Sequence, residues 1–200
     1  MATGPSGLPL DSRPGELLVA GMRMCLLDIV SSLFSLRKSS EAIIGPAVAT
    51  IFYDAGFQGG LKYAASVTSS QLIRSDEAGF REAILEYSNG GFGKFEIASI
   101  DLRGGQAMIS CRDPATAEAH AFIANRERRD RPVCDFSRGV LAGLLSGIGH
   151  VEGIACLEET CRATGDEACV FRIGTKDVIE RQSVERGMRR ARRAGGRGAK

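Results

Sequence analysis

The sequence predicts an α+β fold, with N-terminal helices packed on an antiparallel sheet. Three observations carry that prediction. Apolar residues recur at helical spacing over roughly the first 88 positions. After Asn89 they alternate at strand spacing in several short runs. Helical stretches fall between the second and third of those runs, which is the order of a helix layer segregated against a hairpin-built sheet.

Taken in order, Met1 to Gly15 is rich in Gly, Pro and Ser and reads as a loose leader. Leu17, Leu18, Met22, Leu26, Ile29, Leu33 and Leu36 are spaced for an amphipathic helix ending near Arg37. Ser39 or Ser40 can cap a second helix carrying Ile43, Ile44, Val48, Ile51 and Phe52. Pro46 belongs either in its first turn or at a short break after Gly45. Gly56, Gly59 and Gly60 would let another backbone approach this helix closely. A third helix is expected from Ser75 to Tyr87, then turn chemistry at Asn89 to Gly93. Phe95 to Ile100 and Ala107 to Cys111 read as strands joined at Arg103-Gly104-Gly105-Gln106. Ala115 to Ile123 is expected to be helical, and Asn125 to Pro132 a charged loop. From Asp135 to Ile148 a helix carries Gly139, Gly143 and Gly147 at steps of four, a bare face suited to packing closely on the sheet. Val151 to Leu157 and Ala168 to Ile173 complete the strands.

Two hundred residues, 44% hydrophobic and 25% charged, describe an ordinary folded domain able to bury its own core. No apolar run reaches the length of a membrane span, because Arg23 and Asp28 interrupt the most apolar stretch. No secretory signal pattern opens the chain, so a cytoplasmic location with reduced cysteines is expected. The net charge of +2 hides an asymmetry: residues 176–200 hold nine Lys and Arg against three Asp and Glu. No aromatic residue interleaves those arginines, so a solvated end is expected ahead of nucleic-acid binding.

Of the six cysteines, Cys134, Cys156, Cys161 and Cys169 are clustered, while Cys25 and Cys111 are scattered and read as core thiols. Cys134 precedes a helix, where the positive helix end favours a thiolate. Glu158, Glu159 and Cys161 lie one tight turn from Cys169. Spacing alone leaves a metal site and a group of packed core thiols equally open, since no CxxC pair is present.

Pro132-Val133-Cys134-Asp135-Phe136, the glycines at 139, 143 and 147, and Glu158-Glu159-Thr160-Cys161 through Cys169-Val170-Phe171 resemble the 4-vinyl reductase domain. Upstream, Arg23, Leu26, Leu27, Gly45-Pro46 and Tyr53 to Gly60 resemble the sensory region of aromatic-responsive bacterial activators. The resemblance implies a small-molecule-binding fold related to a eukaryotic vesicle-tethering subunit, the nitric-oxide-signalling/Golgi-transport ligand-binding fold. It also implies a zinc ion (Zn2+) held by Cys134, Glu158, Cys161 and Cys169, with Cys156 beside the ligand cavity. Glu159, one residue on in a strand, would point to the opposite face, and His150 is a polar loop residue. Relatives hold a phenolic group with Trp and His. This chain has no Trp, and neither His120 nor His150 falls where the resemblance would want one. The expected cavity is walled by Phe52, Phe92, Phe95, Met108 and Cys156 with Ser110 as polar contact, which suits an apolar, hydrocarbon-like or aromatic ligand.

The expected organisation is a leader at 1–15, one ligand-binding domain at 16–175 and a basic tail at 176–200. Within the domain, 16–88 would be mainly helical and dimerising, and 89–175 would hold the sheet and zinc site. The expected function is a zinc-stabilised sensor or carrier, acting as a homodimer and read by a protein partner. An accessory protein or enzyme of tetrapyrrole metabolism and an adaptor using its basic tail are the alternatives. Catalysis has no visible seat: no GxGxxG follows a strand, no phosphate loop is present, and four protein ligands leave zinc no open position.

Overall fold

A computed structural model describes residues 2–3 and 9–184. The tail beyond residue 184 lies outside them, so the reading of that end does too. Four short strands open the chain in one antiparallel sheet: β1 (Ala2–Thr3), β2 (Pro9–Arg13), β3 (Glu16–Val19) and β4 (Met22–Met24). The described part of the expected leader is therefore strand, with a turn at Pro14 and Gly15.

The helix expected from Leu17 to Arg37 is also corrected in its first half. Ala20 and Gly21 both take left-handed backbone conformations, φ 49° and 79°, which close β3 onto β4 with Val19 opposite Met22. A two-residue turn of this kind overrides apolar spacing that either element could have used. The hairpin docks through Ser66, whose Oγ donates to the Ala20 carbonyl at 3.1 Å. Helix begins only at Asp28, whose side chain accepts from the Ser31 and Ser32 amides. A wide turn at Ile29–Leu33 leads into α1 (Phe34–Ile44), so Ser39 and Ser40 lie inside a helix and cap nothing. Gly45–Ala47 forms a tight turn holding Pro46, and α2 (Val48–Ser69) follows.

α3 (Glu77–Tyr87) is capped by Asp76, which accepts from the Gly79 amide. Beyond the turn at Gly91 and Gly93 comes the main sheet. β5 (Phe95–Asp101), β6 (Gln106–Cys111), β7 (Ile154–Thr160) and β8 (Cys169–Thr175) pair antiparallel in the order β5-β6-β8-β7. Between β6 and β7 lie α4 (Ala117–Ala124) and α5 (Asp135–Gly149), and α6 follows β8 at 176–184. Among the described residues no helix is long and apolar enough to cross a membrane.

α5 lies between α2 and the sheet. Gly139, Gly143 and Gly147 of α5 meet α2, not the sheet, which corrects the sequence expectation. A Cβ on Gly143 would stand 2.3 Å from the Phe57 carbonyl oxygen, and one on Gly139 2.1 Å from that of Tyr53. The contact is reciprocal, because Gly56 and Gly60 of α2 would meet the carbonyls of Phe136 and Val140. The partners ascend together, so the two helices run side by side in the same direction. Leu141, Leu144, Leu145 and Ile148 of α5 are fully buried in the core with Ile109, Ile154 and Phe171 of the sheet.

Candidate metal centre

Strand alternation puts Phe95, Ile109, Cys111, Cys169, Phe171, Cys156 and Glu158 on the face of the main sheet turned to the helices. The start of α5 drops Cys134 onto the same face. Cys161 follows β7, and Cys169 opens β8 after a turn closed by Gly165 at φ 94°. Asp166 shapes that turn: its Oδ2 accepts from the Cys161 amide at 3.0 Å and from Thr164 Oγ1 at 2.7 Å.

One ligand atom from each of Cys134, Glu158, Cys161 and Cys169 lies within 4.8 Å of the others, and all four residues are buried. Cys134 Sγ is 3.8 Å from both Cys161 Sγ and Cys169 Sγ. That distance is far too long for a disulfide, near 2.0 Å. It matches the edge of a tetrahedron whose sulfurs stand ~2.3 Å from a central ion, about 3.8 Å. Glu158 Oε2 accepts from the Cys134 amide at 2.9 Å, so the carboxylate is steadied by the helix start it faces. Burial pushes the Cys134 thiol and the Glu158 carboxyl well up. Hydrogen bonds from Cys134 and Cys161 bring the Cys169 thiol down, to about 5. Buried acids packed this closely are the donor set a soft divalent cation neutralises. Glu159 points to the other sheet face, where Arg172 Nε meets its Oε1 at 2.5 Å. His150 closes α5 in a left-handed conformation, φ 52°.

The expected cavity residues are not brought together as one set. Phe92 stacks on Tyr87 and on Phe136, and Phe95 packs at a tilt against Tyr87 and Phe171. Cys156 is on the same sheet face, and burial raises its thiol to about 12. Phe52 instead lines a small cleft with Leu33, Arg37, Glu118 and Phe122, its ring beneath the Arg37 guanidinium. Met108 and Ser110 are half-buried on the outer face, opposite Arg172 and Val170 in β8. Period-two alternation from Cys111 already excludes them from the inner face. Cys111 is buried as expected, whereas Cys25 is exposed, because its segment lies between the N-terminal sheet and the first helical turn.

Sequence reading missed two buried polar systems beside the centre. Arg37 of α1 is 4% exposed; its Nη2 meets Asp135 Oδ2 at 2.7 Å and its Nε meets Glu41 Oε1 at 3.0 Å. Asp135, next to Cys134, also holds Arg138, which donates to the Cys156 carbonyl. In the second system Ser137 donates from N and Oγ to the two oxygens of Glu118, each at 2.7 Å. With its proton so committed, Ser137 Oγ accepts from the Tyr87 hydroxyl at 3.1 Å. The one local signal for Glu118 was a lone acid within Ala117 to Phe122.

Burial raises the Glu118 carboxyl, against the lowering effect of its Ser137 hydrogen bonds. An acid raised in the folded state contributes stability that is full below its unfolded pKa and lost as pH rises through the folded one. Glu118→Gln is therefore expected to gain stability on the parent chain as pH rises from about 4 to 8. Urea unfolding across that range reads the difference. A gap that stays constant with pH contradicts it.

Residues 114–175 match the family model of the 4-vinyl reductase domain. No curated protein matches the chain significantly. Several solved structures are similar, among them the following three. The phenol-responsive sensory domain of the transcription activator PoxR, with phenol, is 20% identical with a TM-score of 0.72, over 82% of this chain and 83% of that one. A trafficking protein particle complex subunit 3 from Naegleria fowleri, covalently bound to palmitic acid, is 14% identical with a TM-score of 0.50, over 72% and 93%. A vinyl-4-reductase family protein from Methanocaldococcus jannaschii is 18% identical with a TM-score of 0.48, over 75% and 82%. The first two share this arrangement of helices on an antiparallel sheet.

Proposed function

We propose, from the match of residues 114–175 to the family model of the 4-vinyl reductase domain, that the chain is a zinc-stabilised, small-molecule-binding sensor or carrier acting as a homodimer. The buried group of Cys134, Glu158, Cys161 and Cys169, with sulfurs at tetrahedral spacing, is the observation that carries the reading. Three thiolates and a carboxylate suit zinc, and four protein ligands make its role structural. It would tie the start of α5 to β7 and β8. Elemental analysis of purified protein is expected to find about one zinc per chain, lost in Cys161→Ser. Full zinc retention by that variant overturns the ligand assignment.

The proposed ligand is apolar or aromatic, seated among Tyr87, Phe92, Phe95 and Phe136 beside the metal-bearing strands. The likeness in fold to a phenol-responsive domain supports a small molecule in general. Here the Tyr87 hydroxyl oxygen, its proton held by Ser137, would be the polar group left to accept from a ligand, in place of Trp and His. Native mass spectrometry of the purified protein tests this. A co-purified porphyrin, seen in absorbance, would favour the tetrapyrrole alternative instead.

The proposed dimer face is the apolar surface from Leu26 to Ile51. Leu26 is 91% exposed and Ile43 82%, with Leu27, Leu36 and Ile51 each more than half exposed. Sedimentation velocity is expected to give a dimer for the parent chain and a monomer for Ile43→Lys. An unchanged dimer would place the interface elsewhere.

A further inference from the structure

We propose that Thr116 is a positioning and tuning residue of the metal centre, its hydroxyl donating a hydrogen bond to the Cys134 thiolate. The inference rests on the metal reading above. Thr116 is completely buried, and its Oγ1 lies 3.0 Å from Cys134 Sγ and 3.9 Å from Cys169 Sγ. The direction of the bond follows from its other partner. Thr116 caps α4 by accepting the Ala119 amide on the same oxygen at 3.2 Å. The hydroxyl proton is then the group turned to sulfur, and a thiolate can only accept.

Three thiolates and one carboxylate around a divalent cation sum to a net charge of −2, in a site whose four ligand residues are all buried. Such a centre is stabilised by donors just outside the ligand shell. The Arg162 amide supplies one, to Cys169 Sγ at 3.4 Å. Thr116 supplies a side-chain donor to Cys134. Backbone packing holds it there. Lys94 N donates to the Pro114 carbonyl at 3.1 Å. Gly93, at φ 126°, lets that strand start press against residues 115 and 116: a Cβ on it would stand 3.0 Å from Thr116 Cα. A residue that only capped α4 would need no such placement against two sulfurs.

The test uses the full chain loaded with zinc and, separately, with cobalt(II). Thr116→Val and the smaller Thr116→Ala both remove the hydroxyl, and Thr116→Ser keeps it. Competition against a chelator is expected to show about tenfold weaker metal binding for Val and Ala, and near-parent binding for Ser. The cobalt–thiolate charge-transfer band is expected to move to lower energy in Val and Ala, since a thiolate relieved of a hydrogen bond gives up electron density more easily. The lost helix cap weakens metal-loaded and metal-free protein alike, so it moves neither readout. Parent-like affinity and band position in Val and Ala overturn the proposal, as does failure of Ser to restore them. If the parent chain itself binds no metal, the metal reading fails first, and that outcome is separately visible.

Discussion

Replacing Gly143 with alanine is expected to lower the stability of the folded protein by about 3 kcal/mol, at the upper end of ordinary overpacking. In the folded chain the added carbon would sit 2.3 Å from the Phe57 carbonyl oxygen and 2.8 Å from the Leu61 amide nitrogen. Both are backbone atoms of α2, so no rotamer change relieves the clash. The helices must separate, and separation opens gaps along the whole reciprocal contact, from Gly56 and Gly139 to Gly147 against Ala64. Lost dispersion contacts then add to the strain. Gly59→Ala is the built-in control. It lies in α2, the partner helix, exposed, with nothing within 4 Å of its added carbon. There the substitution is expected to stabilise by about 0.5–1 kcal/mol, through helix propensity alone. Thermal unfolding of the two variants reads both effects: a fall of roughly 10 °C for Gly143→Ala against a small rise for Gly59→Ala. Equal shifts in both would mean that propensity, not helix contact, governs this pair.

The same glycines show what was legible in the sequence and what was not. Two runs of small residues announced close backbone approach on each helix separately. Nothing local said that each was the partner of the other, because Gly56 and Gly139 are brought together only by the fold. The sheet was readable because alternation is a property of each strand alone, and the observed β5 to β8 fall within a few residues of the expected runs. The cysteine group was readable for a related reason. Glu158, Cys161 and Cys169 surround one turn, and only Cys134 has to be brought in from a distance. The opening helix failed where two dihedral angles, at Ala20 and Gly21, outweighed seven apolar residues at matching spacing. The buried pairs Arg37–Asp135 and Glu118–Ser137 escaped notice because each joins charge or hydroxyl across separate elements. In sequence both look like ordinary polar residues facing solvent.

Removing the metal ligand set is the larger perturbation, and Cys161→Ser together with chelation of the parent chain separates its parts. Stripping zinc is expected to leave three sulfurs and a carboxyl buried within 4.8 Å with no cation to balance them. Binding energy that was folding energy is then lost, and for structural zinc in small peptides that quantity is about 10–16 kcal/mol. This chain also has a core of its own, in which Phe80, Phe122, Phe171 and the α5 leucines are fully buried. The expected result is therefore a fold that survives with local opening of the turn from Cys161 to Cys169, at a cost of at least about 4 kcal/mol. Hydrogen exchange is expected to rise first in β7, β8 and the start of α5, while α3 stays protected. The pH dependence has a definite sign. Thiols must give up protons to bind the ion, so the stability added by zinc grows with pH, by about 1.4 kcal/mol per unit for each proton released. Cys161→Ser should behave as chelated protein at every pH and respond little to added zinc. Zinc-induced stabilisation that is flat with pH, or intact in Cys161→Ser, would refute a thiolate-bound ion at this turn.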